Sequence, residues 1–276
     1  MNDLLFTLFA ALVYPGLFTA LMIGALYRFL LRRHVGLLPP TGTLRSREGL
    51  ASTLGVGFAG VALALLPWPF HPTEASLAWL WAWAAFELAF LLPLLPAMLA
   101  GTPVVARAAL REAQLGTLAR ALLWAALVPA LVLHNQWAGS ALVAHLLSLV
   151  AALAAFPLAI GWGPFSHEES VTPAGSAAGL SDATQQLDAW GRDVRAGTLL
   201  MALLVATLPL GALPPLVGLA LLLVGLILTA LLLREFAGRS PRMNLPSALR
   251  FGLLVPLPLS LGANLALLLL NVAYQQ

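Results

Sequence analysis

The feature that most constrains this chain is an alternation. Apolar runs of about twenty residues are divided by short segments that hold nearly all of its charge. A helix of about 20 mostly apolar residues is what it takes to cross the ~30 Å hydrocarbon core of a bilayer. Eight such runs can be traced, at roughly 4–31, 50–69, 76–100, 117–134, 139–162, 197–212, 214–233 and 251–272. Pro209 and the Pro214-Pro215 pair crowd the boundary between the sixth and seventh runs, where fusion would reduce the count to seven. The runs show no heptad seam and no period-two alternation, so helices are expected rather than barrel strands. Only 9% of the residues are charged and 61% are hydrophobic, whereas a soluble domain carries about 25% charged residues. The expectation is an all-α polytopic membrane protein: a single transmembrane domain over 1–276 with eight transmembrane helices.

The arginines orient it. All fourteen basic residues are Arg. They follow the first span (Arg28, Arg32, Arg33, Arg45, Arg47), the third (Arg107, Arg111, Arg120), the fifth (Arg192, Arg195) and the seventh (Arg234, Arg239, Arg242, Arg250). With both termini on the outer, periplasmic side, all of them lie in the cytoplasm, as the positive-inside rule requires. An even number of spans follows. The implied location is the bacterial plasma (inner) membrane. Net charge +3 and a pI near 10.2 do not indicate nucleic acid, because the cations form no patch with interleaved aromatics. The absence of Cys removes disulfides, thiolate metal sites and cysteine-ligated clusters from this chain. The start, MNDLLF, lacks a positive n-region and leads into too long an apolar run for a cleaved signal, so it is expected to stay as a helix.

Trp68, Trp79, Trp81, Trp83 and Trp137 fall at outer boundaries, and Trp162 and Trp190 at inner ones, as an aromatic belt would. Prolines within the runs (Pro93, Pro96, Pro129, Pro157, Pro209, Pro256, Pro258) need neighbouring helices to satisfy the backbone groups they free, which favours a packed bundle with partner subunits. The longest polar stretch is 163–196. It is loop-like at first. Ser181 or Asp182 then caps a short amphipathic helix with Leu187, Trp190 and Val194 on one face. With five of the eleven acids (Glu168, Glu169, Asp182, Asp188, Asp193), it is either a solvated loop or a docking segment for a peripheral protein.

Few residues could carry chemistry. Glu87 is the only carboxylate near the middle of a run. An ionisable residue there costs about 2.5–3.5 kcal/mol on insertion scales and marks a functional site by default. It reads as a proton relay or as a neutral carboxyl bonded to a neighbouring helix, and Glu87→Gln is expected to lower proton pumping while leaving assembly intact. Glu112, beside Arg111 and Arg107, is either an interfacial ion-pair member or the cytoplasmic mouth of a proton path. His145 could shuttle protons or simply pack. Asn264 and Asn271 suit interhelical hydrogen bonds. No phosphate loop, HExxH or nucleophile elbow is present.

One segment adds a resemblance. GTPVVARAALREAQLGTL, Gly101–Leu118, reads as a cytoplasmic hinge. Through Gly101, Pro103, Arg111, Glu112, Ala113, Leu115 and Gly116 it resembles the loop before the fourth span in the subunit-H (subunit 1) family. This is the membrane subunit of respiratory complex I and the related membrane anchor of group 4 membrane-bound [NiFe] hydrogenases and formate hydrogenlyase. Pro164-Phe165, Trp190-Gly191 through Pro209, and Arg239-Ser-Pro241-Arg242 with Arg250, Gly252 and Pro258 resemble later segments of the same family. The resemblance implies a membrane-anchor and coupling subunit with no redox centre of its own. Iron–sulfur clusters, with NiFe or quinone, would belong to partner subunits. Those partners would be an iron–sulfur small subunit and a large subunit of the peripheral arm, plus antiporter-like membrane subunits. Together with the residue reading, the proton-path candidates are Glu87, Glu112, Glu168, Glu169, Asp182 and His145, Glu87 having no counterpart in that family, and the docking residues are Arg107, Arg111, Arg120, Arg239 and Arg242. The chain departs from the family where Arg120 replaces a carboxylate, where Ser166 follows Pro164-Phe165, and where Asn244 and Pro246 stand in the last loop. The alternatives are a stand-alone secondary transporter and an anchor that has lost quinone binding and proton coupling.

Overall fold

A computed structural model describes residues 2–33, 44–73, 78–137, 139–166, 175–178 and 180–273. The described residues form α-helices and short 3-10 turns, with no strand. Six helical stretches are long and apolar enough to cross a membrane: Leu4–Arg32, Trp79–Met98, Pro103–Val132, Ala141–Ala159, Pro215–Arg239 and Leu245–Leu270. The chain is a multi-pass membrane protein.

Six spans are fewer than the eight expected, and the reason is physical. The second and sixth runs correspond to α3 (Arg47–Ala64) and α8 (Asp182–Thr207); α8 stands inside the bundle, and α3 buries one face and exposes Leu50, Leu54 and Val61. α8 packs against α2 (Leu17–Arg32), α3, α6 (Pro103–Val132), α7 (Ser140–Ala159) and α9 (Pro215–Arg239). Every residue of α8 from Asp193 to Thr207 is buried. A helix that faces protein instead of lipid can carry polar residues, provided they are satisfied. The hydroxyls of Thr198 and Thr207 donate to carbonyls one turn back, Val194 at 2.9 Å and Leu203 at 2.8 Å. Small residues let these central helices touch. A Cβ on Gly24 of α2 would lie 2.6 Å from Val194 Cα, and one on Gly60 of α3 would lie 2.7 Å from Leu17 Cα. This is the close approach that helices without a lipid-driven hydrophobic force depend on. α6, α7 and α11 (Pro256–Ala273) pack together on one side of α8, and α2 and α3 on the other, with α4 (Trp79–Leu91) outside α3.

The expected hinge at Gly101–Leu118 is not a loop. Between α5 (Leu95–Met98) and α6, only the four residues Leu99 to Thr102 break the helix. Thr102 is the extended N-cap, Pro103 takes the first helical position, and α6 then runs unbroken for 30 residues. Pro is favoured at that position because its fixed φ suits the helix and its missing N–H is not needed there. The Ala-, Leu- and Arg-rich stretch that follows consists of strong helix formers. The short amphipathic helix expected after residue 181 is likewise the first half of α8. Ser181 supplies its cap, with Oγ accepting from Thr184 N. Leu187, Trp190 and Val194 share one buried cluster with Val56.

Two expected spans are broken. The first divides at Val13–Gly16 between α1 (Asn2–Leu12) and α2, where Tyr14-Pro15 is cis. The last divides at Val255 between α10 (Leu245–Leu254) and α11. The aromatic belt is only partly a belt. Trp81 is exposed, but Trp68 and Trp190 are core residues, and Trp68 meets Tyr14 edge-on at 5.9 Å.

Candidate functional site

The charged residues within the bundle gather around α6 and α8. Glu87 lies in the last half of α4, and Arg120 in the middle of α6. Arg120 Nε donates to both Glu87 oxygens at 3.1 Å, and Nη2 donates to Oε2 at 2.9 Å. Arg120 Nη2 also reaches Thr117 Oγ1 at 3.3 Å, and its guanidinium sits 4.7 Å over the Phe90 ring. Trp83, one turn before Glu87, donates its indole N–H to Oε1 at 3.3 Å. Glu87 is therefore an ion-paired carboxylate, held by a side chain of a neighbouring helix. The pair also explains Arg120, which stands where the resembling family has an acid.

A second network joins α6 to the N-terminal half of α8. Glu112 accepts from Ser176 Oγ at 2.8 Å and lies 3.9 Å from Arg192. Arg192 donates to Asp188, one turn earlier, at 3.0 Å. Arg195 lies 3.7 Å from the same carboxylate and donates to Ser52 Oγ of α3 at 3.4 Å. A third cluster ties α2 to α8. Asp193 lies 3.0 Å from Arg32 and 3.7 Å from Arg28.

Between the first two networks is a cavity of about 350 Å³. α6 contributes Arg107, Arg111, Glu112 and Arg120, and α8 contributes Asp188, Arg192 and Arg195. A second cavity of about 340 Å³ lies by the third network, lined by Tyr27, Arg32, Trp162, Asp193 and Arg242 among others. Arg192 and Ser166 border both.

The sequence candidates thus divide. Arg107, Arg111, Glu112 and Arg120 line one cavity, and Glu87 is tied to it through its pair with Arg120. Arg242 borders the other. Arg239 is exposed and pairs with Glu235 at 3.1 Å on its own helix. Asp182 sits exposed in the first turn of α8, where a carboxylate complements the helix dipole. Glu168 and Glu169 lie outside the described residues. His145 is buried beside the end of α6. Its Nε2 reaches the Leu133 and Gln136 carbonyls at 3.2 and 3.1 Å, beyond the end of α6, and its ring stacks on Trp137 at 3.6 Å. Asn264 donates across to Ala125 O at 2.9 Å, as expected. Sequence reasoning gave no part to Arg28, Arg32 and Ser176, nor to the pairing of Asp188, Arg192, Asp193 and Arg195. One signal was available: Asp188, Arg192 and Arg195 recur at i, i+4 and i+7, one face of a helix.

No protein-family model matches this sequence, and no curated protein matches it. Among solved structures, the fold is similar to a chain of the membrane-bound sulfane sulfur reductase, an archaeal respiratory membrane complex. The TM-score is 0.67 at 18% identity, over 96% of this chain and 100% of that one.

Proposed function

We propose that this chain is a non-redox membrane-anchor and coupling subunit of an energy-converting oxidoreductase of the complex-I-like or membrane-bound-hydrogenase-like kind. The observation that carries the reading is the end-to-end likeness to a chain of a respiratory membrane complex, covering 96% of this chain and all of the other. In this reading the chain crosses the bacterial plasma membrane eight times with both termini outside, α3 and α8 being the other two spans. The cytoplasmic arginines Arg107, Arg111, Arg239 and Arg242, with the 163–196 segment, dock the iron–sulfur small subunit and the large subunit. Antiporter-like subunits pack against its lipid-facing helices. Redox centres belong to those partners.

The Glu87–Arg120 pair favours one version, an anchor whose ion path differs from the family's. A carboxylate fixed by two donor atoms of one guanidinium is a poor station for a passing proton, because each transfer must break a charge-assisted pair. Glu112, bonded to Ser176 and 34% exposed at the side chain, is the more accessible carboxylate for such a path. Purification of the tagged chain in mild detergent tests the assignment. Co-purifying cluster-bearing and antiporter-like subunits are expected. A chain that emerges alone and moves a solute in liposomes is a stand-alone transporter instead.

A further inference from the structure

Among the described residues, five arginines line the cavity between α4, α6 and α8: Arg107, Arg111, Arg120, Arg192 and Arg195. They face three described acids, Glu48, Glu112 and Asp188. Counting Glu87, which holds Arg120, five positive charges stand against four negative ones among these residues.

The surplus is concentrated at Arg195. Its side chain is 4% exposed, and Nε has no partner. Its nearest carboxylate, Asp188, is 3.7 Å away and gives its closer contact to Arg192. The fold nonetheless reserves room for this side chain. A Cβ on Gly191 would lie 3.0 Å from Arg195 Nη1 and 2.5 Å from Ser52 Oγ, and one on Gly55 would lie 3.3 Å from the same Nη1. A buried guanidinium short of acceptors is costly unless something supplies them. The α4–α5 side of the cavity is apolar, with Phe90, Pro93 and Leu94. An occupant with an anionic head and an apolar body would meet both surfaces.

We propose that this cavity binds the phosphate group of an anionic phospholipid, with Arg195 as the inner ligand and the exposed Arg107 at the mouth. Inorganic phosphate offers the same oxygens to the arginines but leaves the apolar wall uncovered. The proposal needs only that the chain lies in a membrane, so it stands apart from the subunit assignment above.

The test uses the full chain, delipidated in neutral detergent. Native mass spectrometry then measures binding of phosphatidylglycerol and of phosphatidylcholine with identical acyl chains. Phosphatidylglycerol is expected to bind at least tenfold tighter, with inorganic phosphate competing only at millimolar concentration. Arg195→Gln should abolish the preference. Arg107→Gln, on an exposed side chain that folding does not need, should weaken phosphatidylglycerol about fivefold, the worth of one arginine at an anionic surface. If Arg195→Gln does not fold, the Arg107→Gln shift and a wild-type salt titration decide. Equal binding of the two lipids, or a preference that Arg107→Gln and salt leave unchanged, overturns the proposal. Displacement of the lipid by equimolar inorganic phosphate overturns it in favour of a free anion.

Discussion

Removing either partner of the Glu87–Arg120 pair should destabilise the protein, and the two removals should not be equal. Breaking a buried pair by deleting one partner costs about 3–5 kcal/mol, because the other charge is left uncompensated. The side-chain exposures are 3% for Arg120 and 17% for Glu87. An abandoned Arg120 keeps only Thr117, the distant Ala159 carbonyl at 3.5 Å and the face of Phe90. It cannot escape by losing its proton. An abandoned Glu87 can become neutral and keep the Trp83 indole. Glu87→Gln should therefore cost about 3–5 kcal/mol, and Arg120→Gln nearer 1–3 kcal/mol, the cost of an unmet buried polar group. The double variant should cost less than Glu87→Gln alone, since neither charge is then stranded. Steric-trap or denaturant unfolding in bicelles closes the double-mutant cycle, and an interaction energy of about 2 kcal/mol or more is expected. If the two changes simply add, within about 0.5 kcal/mol, the pair is not coupled and the reasoning fails. The same cycle changes how a pumping experiment is read. Sequence alone expects Glu87→Gln to assemble normally, whereas the pair predicts a yield defect that must be normalised before any lost pumping is credited to proton transfer.

Three further perturbations follow from the packing. Gly24→Ala places a methyl 2.6 Å from Val194 Cα and should cost about 1–3 kcal/mol by overpacking. Gly57→Ala, with nothing within 4 Å, should be neutral or stabilise α3 by up to about 1 kcal/mol. Equal melting temperatures for the two would contradict the α2–α8 contact. Ser181→Ala removes the α8 cap and should cost about 1 kcal/mol, with faster amide exchange at Thr184 and unchanged exchange beyond Val194. His145→Phe leaves the Leu133 and Gln136 carbonyls without their donor and should cost about 1–3 kcal/mol. Any ion-transport activity per folded molecule should be unchanged, and a specific transport loss would place His145 on the proton path.

Helices that face lipid were legible because lipid selects a single property, hydrophobicity, over a fixed length. The runs at 76–100, 139–162 and 214–233 reappear with small shifts as Trp79–Met98, Ala141–Ala159 and Pro215–Arg239. Shielded helices obey a weaker rule. α8 carries Asp188, Arg192, Asp193 and Arg195, which periodicity alone assigns to a solvated segment. Helix breaks were legible where Pro and Gly meet, as at Thr102-Pro103. Their extent was not, because Arg107 and Arg111 mark a polar environment and say nothing about whether the backbone is helical. At the site, Glu87 and Arg120 each stood out as misplaced charges. Their union is a contact across 33 residues, and one sequence carries no signal that links two such oddities.

The unbroken course of α6 from Thr102 has a mechanical consequence. Thirty residues span about 45 Å, some 15 Å more than the hydrocarbon core. Arg107 and Arg120 are about 20 Å apart along one axis, with no Pro between them and no joint to absorb a bend. α6 is thus a lever arm. A tilt imposed at Arg107 would be carried along an unbroken helix to Arg120, which holds the Glu87 carboxylate of α4.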